Sequence, residues 1–322
     1  MTKAFEESLS LFKDKISDCI KSKKSISITT HIDCDGLTSG SIIAKALIRE
    51  GAKYTLRTSK EFSKNVVESF KTDSRDFHII TDLGGGFGKD LNQTLGDNWI
   101  ILDHHQISEE EKDNQNIINA WKYEIDGGTE ISAGGMAYFA ATALNEKNSD
   151  LSEIAIVSAL GDRQDQGDRK SFTGKNFEIA NTAKELGLVE MDLDLLLVGR
   201  ETRPLAEAIA FTSQPFIEGL TWNKETCLSI LKSSGIKLKE EGRWRVPAEL
   251  NEEEEKLVIK AITDFSPDKN TTEVMSELIG YTYTFPREDK RSFLRDGREY
   301  STMLNSCGRI NRSGVGMAIC MG

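Results

Sequence analysis

The chain has little cysteine: five residues, Cys19, Cys34, Cys227, Cys307 and Cys320, with no CxxC spacing among them. Neither a zinc finger nor a disulfide framework is therefore expected. Long apolar runs are also missing. Nothing approaches the roughly 18 residues that span a bilayer, so no membrane association is expected. The N-terminus lacks the pattern of a secretory leader. Instead Phe5, Leu9, Phe12, Ile16 and Ile20 recur like one face of a docked helix, which suits a cytoplasmic protein. Excess positive charge is absent too: the net charge is −11. That argues against a protein that coats DNA through a basic surface. It does not exclude a nucleic-acid enzyme, because carboxylates gathered around divalent metals add negative charge that the metals offset.

Histidine is scarce, with four residues in 322, and three of them stand at the ends of short apolar runs. Ile26 to Thr30 reads as a buried strand that runs into His31, Asp33, Asp35 and Gly36. Phe77 to Thr81 is a second such run, ending in Asp82 and Gly84-Gly85-Gly86. Trp99 to Leu102 is a third, ending in Asp103-His104-His105. Acids and glycine are ordinary turn residues, so one such end means little; three together mean more. In open parallel α/β sheets, ligands bind beyond the carboxyl ends of the strands at the topological switch point. If the backbone stays extended past His31, residues two apart point the same way and His31, Asp33 and Asp35 converge. Cys34 then points away.

Residues 1 to about 150 alternate strand and helix signals, the mark of a parallel α/β sheet. Tyr54 to Arg57 and Ile117 to Trp121 are further strands. Ser132 is a helix N-cap, and Gly134 and Gly135 after it allow close packing. Leu151 to Leu160 is helical and ends in Gly161-Asp162-Arg163-Gln164-Asp165, a fourth apolar element that delivers acids. Beyond residue 175 helices are expected over 178–186 and 192–198, after Pro204, and from Glu252. Arg243-Trp244-Arg245 interleaves cations with an aromatic, which fits either a nucleic-acid contact or a core tryptophan beside solvated arginines. Glu277 to Phe285 alternates like a strand and Glu299 to Ser306 suits a helix. Cys307 to Gly316 reads as a glycine- and arginine-rich loop, and Gly316 to Cys320 as a strand. Exposed backbone amides at Gly308 with Arg309 nearby are what a phosphate site needs. No Ser/His/Asp arrangement stands out.

His31-Ile32-Asp33-Cys34-Asp35-Gly36, Asp82, Asp103-His104-His105 and Gly161-Asp162-Arg163-Gln164-Asp165 together resemble the four ordered motifs of the DHH phosphoesterases. Cys307-Gly308-Arg309 with Gly314-Val315-Gly316 resembles the DHH-associated C-terminal domain of the RecJ-like branch. Gly199 to Pro204 and Pro215-Phe216 look like the region between in archaeal RecJ-like nucleases, including the GINS-associated nuclease. The GGGH-type element of bacterial RecJ is missing. The resemblance implies an α/β fold: a parallel-sheet DHH domain over 1–190, a helical connector over 191–265, and a smaller α/β C-terminal domain from 266, expected to be cut short at 322.

The resemblance also implies site roles. His31 and Asp33 would hold one Mn²⁺ or Mg²⁺, Asp35 and His104 a second, and Asp82 both. The family register favours Asp165 over Asp162 as the fourth-motif ligand. Asp103 would orient its neighbours, His105 would contact the scissile phosphate, and Gly308 and Arg309 would hold an adjacent one. Carboxylate and imidazole without thiolate suit such metals, and two ions about 3.5–4 Å apart serve in-line phosphoryl displacement. The expected activity is a two-metal exonuclease on single-stranded DNA or RNA in replication or repair. The alternatives are a phosphodiesterase of short oligonucleotides or nucleotides, and a replisome scaffold that binds GINS.

Overall fold

The structure, a computed structural model, describes residues 2–265 and 271–322. Two compact units are present. The first comprises residues 1–166, 172–188 and 301–322, and the second 167–171 and 189–300. The expected domain boundary at 265–266 adjoins residues 266–270, which lie outside the described residues. No helix among the described residues is long and apolar enough to cross a membrane.

The first unit begins with helix α1 (Lys3–Lys21), strand β1 (Ser25–His31), α2 (Cys34–Arg49), β2 (Lys53–Ser59) and α3 (Lys64–Ser69). Then follow β3 (Phe77–Thr81), α4 (Gly88–Leu95), β4 (Trp99–Asp103), β5 (Ile117–Asn119), α5 (Ala133–Leu144), α6 (Ser152–Gly161) and α7 (Gly174–Glu185). The five strands form one parallel sheet in the order β2-β1-β3-β4-β5. Chain direction reverses across the sheet between β1 and β3, which makes that pair the switch point where such sheets bind ligands.

Strands β3 and β4 are buried at every residue. That explains their unbroken apolar composition: helices cover both faces of a parallel sheet, so no face is left polar. One face carries α2, which packs against α5 and α6. The other carries Val67, Phe70 and Leu91 over Ile80, Trp99, Ile101 and Ile117. Gly40 lets α2 lie close on β1, since a Cβ there would stand 2.8 Å from Thr30 Cγ2.

The second unit contains β6 (Glu190–Leu195), α8 (Leu205–Phe211), α9 (Lys224–Ser233), β7 (Lys239–Glu240), β8 (Arg243–Trp244), α10 (Glu252–Phe265), α11 (Thr271–Leu278) and β9 (Ile279–Thr284). β6 and β9 pair antiparallel, and the helices close over Leu205, Ile209, Leu231, Val258 and Ile262. The helix expected over 192–198 is therefore strand as far as Leu195. Met191, Leu193 and Leu195 alternate with Asp192 and Asp194, but the partner β9 lies more than 80 positions away in sequence.

Helix α12 (Gly297–Arg309) and α13 (Ser313–Met321) complete the chain. The loop expected from Cys307 is helical through Arg309, and the strand expected over Gly316–Cys320 is helix α13. A short apolar run does not distinguish a strand from a buried helix. Packing decides it: α13 lies against α2, with Gly316 beside Leu37.

In the second unit Arg200 Nε donates to Asp194 Oδ2 at 2.9 Å, and Glu255 shares this neighbourhood. Burial and the Asp194 charge push the Glu255 carboxyl up to about 7. A raised carboxylate value means the folded state holds the proton more tightly. Its contribution to stability is full below the ordinary value and is lost as pH rises through about 7. Glu255→Gln is expected to raise the thermal midpoint at pH 8 and leave it unchanged at pH 4, checked by calorimetry at both.

Candidate metal centre

The carboxyl ends of β1, β3 and β4, with the end of α6, deliver four imidazole and carboxylate motifs to one place. The chain does not stay extended past His31. Asp33 is the N-cap of α2, its side chain accepting from Gly36 N at 3.0 Å, and Asp35 lies in the first helical turn. Convergence thus comes from a strand-to-helix turn, not from strand alternation. Gly36 makes the turn possible by close approach: a Cβ would stand 2.5 Å from the His31 carbonyl oxygen. Cys34 is buried away from the cluster as expected, with Sγ 3.5 Å from the Val157 carbonyl.

His31 Nδ1 lies 2.7 Å from Asp33 Oδ2 and 3.7 Å from Asp82 Oδ2. His104 Nε2 lies 3.2 Å from Asp35 Oδ2, 3.4 Å from Asp82 Oδ1 and 3.9 Å from Asp162 Oδ2. Asp82 stands between the two groups. It follows β3 in the left-handed region, φ 62°, a conformation that aspartate and asparagine tolerate better than most residues.

Three ligand-type groups share ligand atoms within 4.8 Å: His31, Asp33 and Asp82; Asp35, His104 and Asp162; and Asp82, His104 and His105. Asp165 is in none of these groups, whereas Asp162 is. The turn after α6 explains this. Arg163 is left-handed and Gln164 points into the interior, which leaves Asp162 at the helix end.

Partners outside the cluster orient these groups. His104 Nδ1 donates to the Gly127 carbonyl at 2.6 Å, which turns Nε2 toward the carboxylates. Asp35 receives the backbone N–H of Ala133 at 2.8 Å and of Gly134 at 2.9 Å, and the Ser158 hydroxyl donates to it. These N–H groups are the free donors at the start of α5. Gly134 also admits Ser158, because a Cβ would overlap the serine hydroxyl. Asp103 Oδ1 accepts from His104 N at 2.8 Å and His105 N at 3.2 Å, and holds His105 Nδ1 at 2.8 Å. The His105 ring remains mostly exposed.

Gln164 is the residue whose role the sequence did not reveal. It is fully buried, and its Nε2 donates to Gly127 O at 2.8 Å, Ile131 O at 3.2 Å and Asp162 Oδ2 at 3.0 Å. It therefore shares one carbonyl with His104 while steadying Asp162. Asn305, on α12, accepts from Cys34 N at 3.0 Å and so braces the ligand turn. Gly308 abuts the Ile32 carbonyl, where a Cβ would overlap it. Its amide lies in a helix and not in the open loop expected, and Arg309 beside it is exposed.

The electrostatics follow from this crowding. Burial and the neighbouring Asp35 charge raise the Asp82 carboxyl well above its ordinary range. Burial and the same Asp35 charge push Asp162 to about 6. Burial opposes protonation of His104, yet Asp35 and Asp82 beside it hold its pKa well above the usual value. The hydrogen bond that His105 donates to Asp103 likewise raises His105. Asp82 Oδ2 and His104 Nε2 are buried without a hydrogen-bond partner. Ligand-type atoms left without a hydrogen bond, in a set free of thiolate, fit a hard divalent cation.

Residues 25–161 match the model of the DHH family, N-terminal domain, and residues 197–278 match the DHH-CID domain. The chain is 29% identical over 321 residues to an uncharacterized protein of Methanocaldococcus jannaschii, covering 96% of this chain and 68% of the relative. CDC45 from Entamoeba histolytica has a similar fold, with a TM-score of 0.69 at 16% identity over 99% of this chain and 68% of that one. RecJ in complex with Mn²⁺ from Thermus thermophilus gives a TM-score of 0.44 at 14% identity, over 99% and 37% of the two chains.

Gln164→Leu removes three donated hydrogen bonds and leaves the partner of Asn176 Nδ2 empty. A loss of about 1–3 kcal/mol is expected, read from chemical denaturation in the presence of chelator.

Proposed function

This chain belongs to the DHH family, and from that premise we propose that its first unit is a divalent-metal phosphoesterase. Its substrate in this reading is single-stranded DNA or RNA, cut from an end in replication or repair. The observation that carries the reading is the pair of buried, unpartnered atoms, Asp82 Oδ2 and His104 Nε2, in one cluster of acids and imidazoles. Buried carboxylates gathered without matching cations destabilise a fold. A site that binds cations gives them a use.

His31 and Asp33 would hold one cation, Asp35, His104 and Asp162 the other, and Asp82 both. Divalent ions there supply Lewis acidity toward a phosphodiester and offset the carboxylate charge. The protein supplies orientation. The Gly127 carbonyl sets the His104 tautomer, and the α5 N-terminus and Ser158 hold Asp35 from behind. His105 is placed to donate a proton or a hydrogen bond to a phosphoryl oxygen: Asp103 fixes its Nδ1 and favours the imidazolium, while the ring faces solvent. Asp103 stays ionised because contacts with His105 outweigh its burial.

Asp82→Asn tests this, since asparagine keeps the left-handed backbone and the side-chain shape. Its circular dichroism should match the parent, while Mn²⁺-dependent cleavage of end-labelled single strands should fall by about 100-fold or more. A fully active variant overturns the reading. Faster turnover of a dinucleotide than of a long strand assigns the site to small substrates, and no turnover of either substrate by the parent leaves a scaffold.

A further inference from the structure

The second unit carries aromatic rings that its core does not use. Trp222 is 66% exposed and Phe211 40% exposed, and their rings meet edge to face at 5.7 Å. The Arg203 guanidinium lies 4.6 Å from the centre of the Phe211 ring. Trp222 is held at φ 67°, its N–H bonded to the Ala210 carbonyl at 2.8 Å. A bulky side chain rarely adopts that backbone conformation, and such strain gathers where a group must be displayed.

A second aromatic–cation pair stands on the β7–β8 hairpin. Trp244 is 42% exposed, with Lys239 Nζ 4.4 Å above its ring and Arg243 exposed beside it. This reverses one reading of Arg243-Trp244-Arg245: the tryptophan faces solvent, while Arg245 is buried against Glu254. The two pairs are neighbours, because Leu205 N, two residues after Arg203, donates to the carbonyl of Arg245, one residue after Trp244, at 3.0 Å.

Charge selects the occupant. Arg203 and Lys239 form no ion pair among the described residues and Arg243 feels only the charge of Glu249, which Arg291 already pairs, whereas Lys224 and Lys237 nearby in sequence are paired with Glu207 and Glu240. Three cations outside ion pairs, interleaved with open ring faces on a chain of net charge −11, match a phosphate backbone with unstacked bases. Glu241 is the one acid of the hairpin turn without a cation.

We propose that Trp222, Phe211 and Arg203, continued by Trp244, Lys239 and Arg243, form a base-stacking platform for single-stranded nucleic acid. It rests on the single-strand reading of the first unit and adds a binding surface outside the metal centre. Bases stack on the open faces of Trp222 and Trp244, while the three cations meet phosphates.

The test is fluorescence anisotropy with a labelled 12-nucleotide oligothymidylate and an abasic strand of equal length, in EDTA so that no cleavage intervenes. The parent should prefer the strand that has bases. Trp222→Ala and Trp244→Ala should each weaken oligothymidylate binding about five- to 100-fold and hardly change abasic binding. Arg203→Gln should lower the slope of log affinity against log salt by about 0.7. Unchanged thermal midpoints establish that the variants are folded. Equal affinity of the tryptophan variants and the parent for oligothymidylate overturns the proposal. So does a parent that does not distinguish the two strands, or a surface whose variants alter only sedimentation, which would mark a self-contact. Strand binding without Mn²⁺-dependent cleavage defeats the hydrolysis reading and leaves the platform standing. Cleavage with variant-insensitive binding does the reverse.

Discussion

Like charge crowded into one partly buried cluster is the constraint on which the first unit turns. Asp33, Asp35, Asp82 and Asp162 approach two imidazoles at the ends of three strands, and burial drives the Asp82 and Asp162 carboxyls upward. Such a cluster survives only if the scaffold brings dipoles and donors to it. It does so through the first N–H groups of α5 on Asp35, the Gly127 carbonyl behind His104, and the amides of His104 and His105 on Asp103. Close backbone approach at Gly36 and Gly308 is the steric side of the same requirement.

The second unit handles buried charge differently. Asp194 meets Arg200, Glu254 meets Arg245, and Glu201 lies between Arg200 and Arg295. There each of these acids is paired with a guanidinium. In the cluster of the first unit acids outnumber nearby cations, and Asp82 Oδ2 and His104 Nε2 there have no hydrogen bond.

Much of this was legible along the chain. The runs before His31, Asp82 and Asp103 are strands, and Ser132 is an N-cap whose side chain accepts from Gly135 N at 3.2 Å. Other readings failed for identifiable reasons. Alternation in 191–195 is complete only when β9 is known, and α13 is apolar enough to pass for a strand until α2 is seen beneath it. The acid of the fourth motif could not be chosen from spacing, because one left-handed residue, Arg163, decides which side chain the turn presents.

The sequence by itself determined the strand ends and the kinds of ligand placed there, because burial on both faces of a parallel sheet writes itself as unbroken apolar runs with polar residues where they stop. Only the tertiary structure decided how those ends meet. Asp35 arrives by a helical turn, Asp162 meets Asp35 and His104, and Gln164 ties His104 to Asp162 through a carbonyl 37 positions away from it in sequence. Such contacts depend on directions in space between distant segments, and no local periodicity records them.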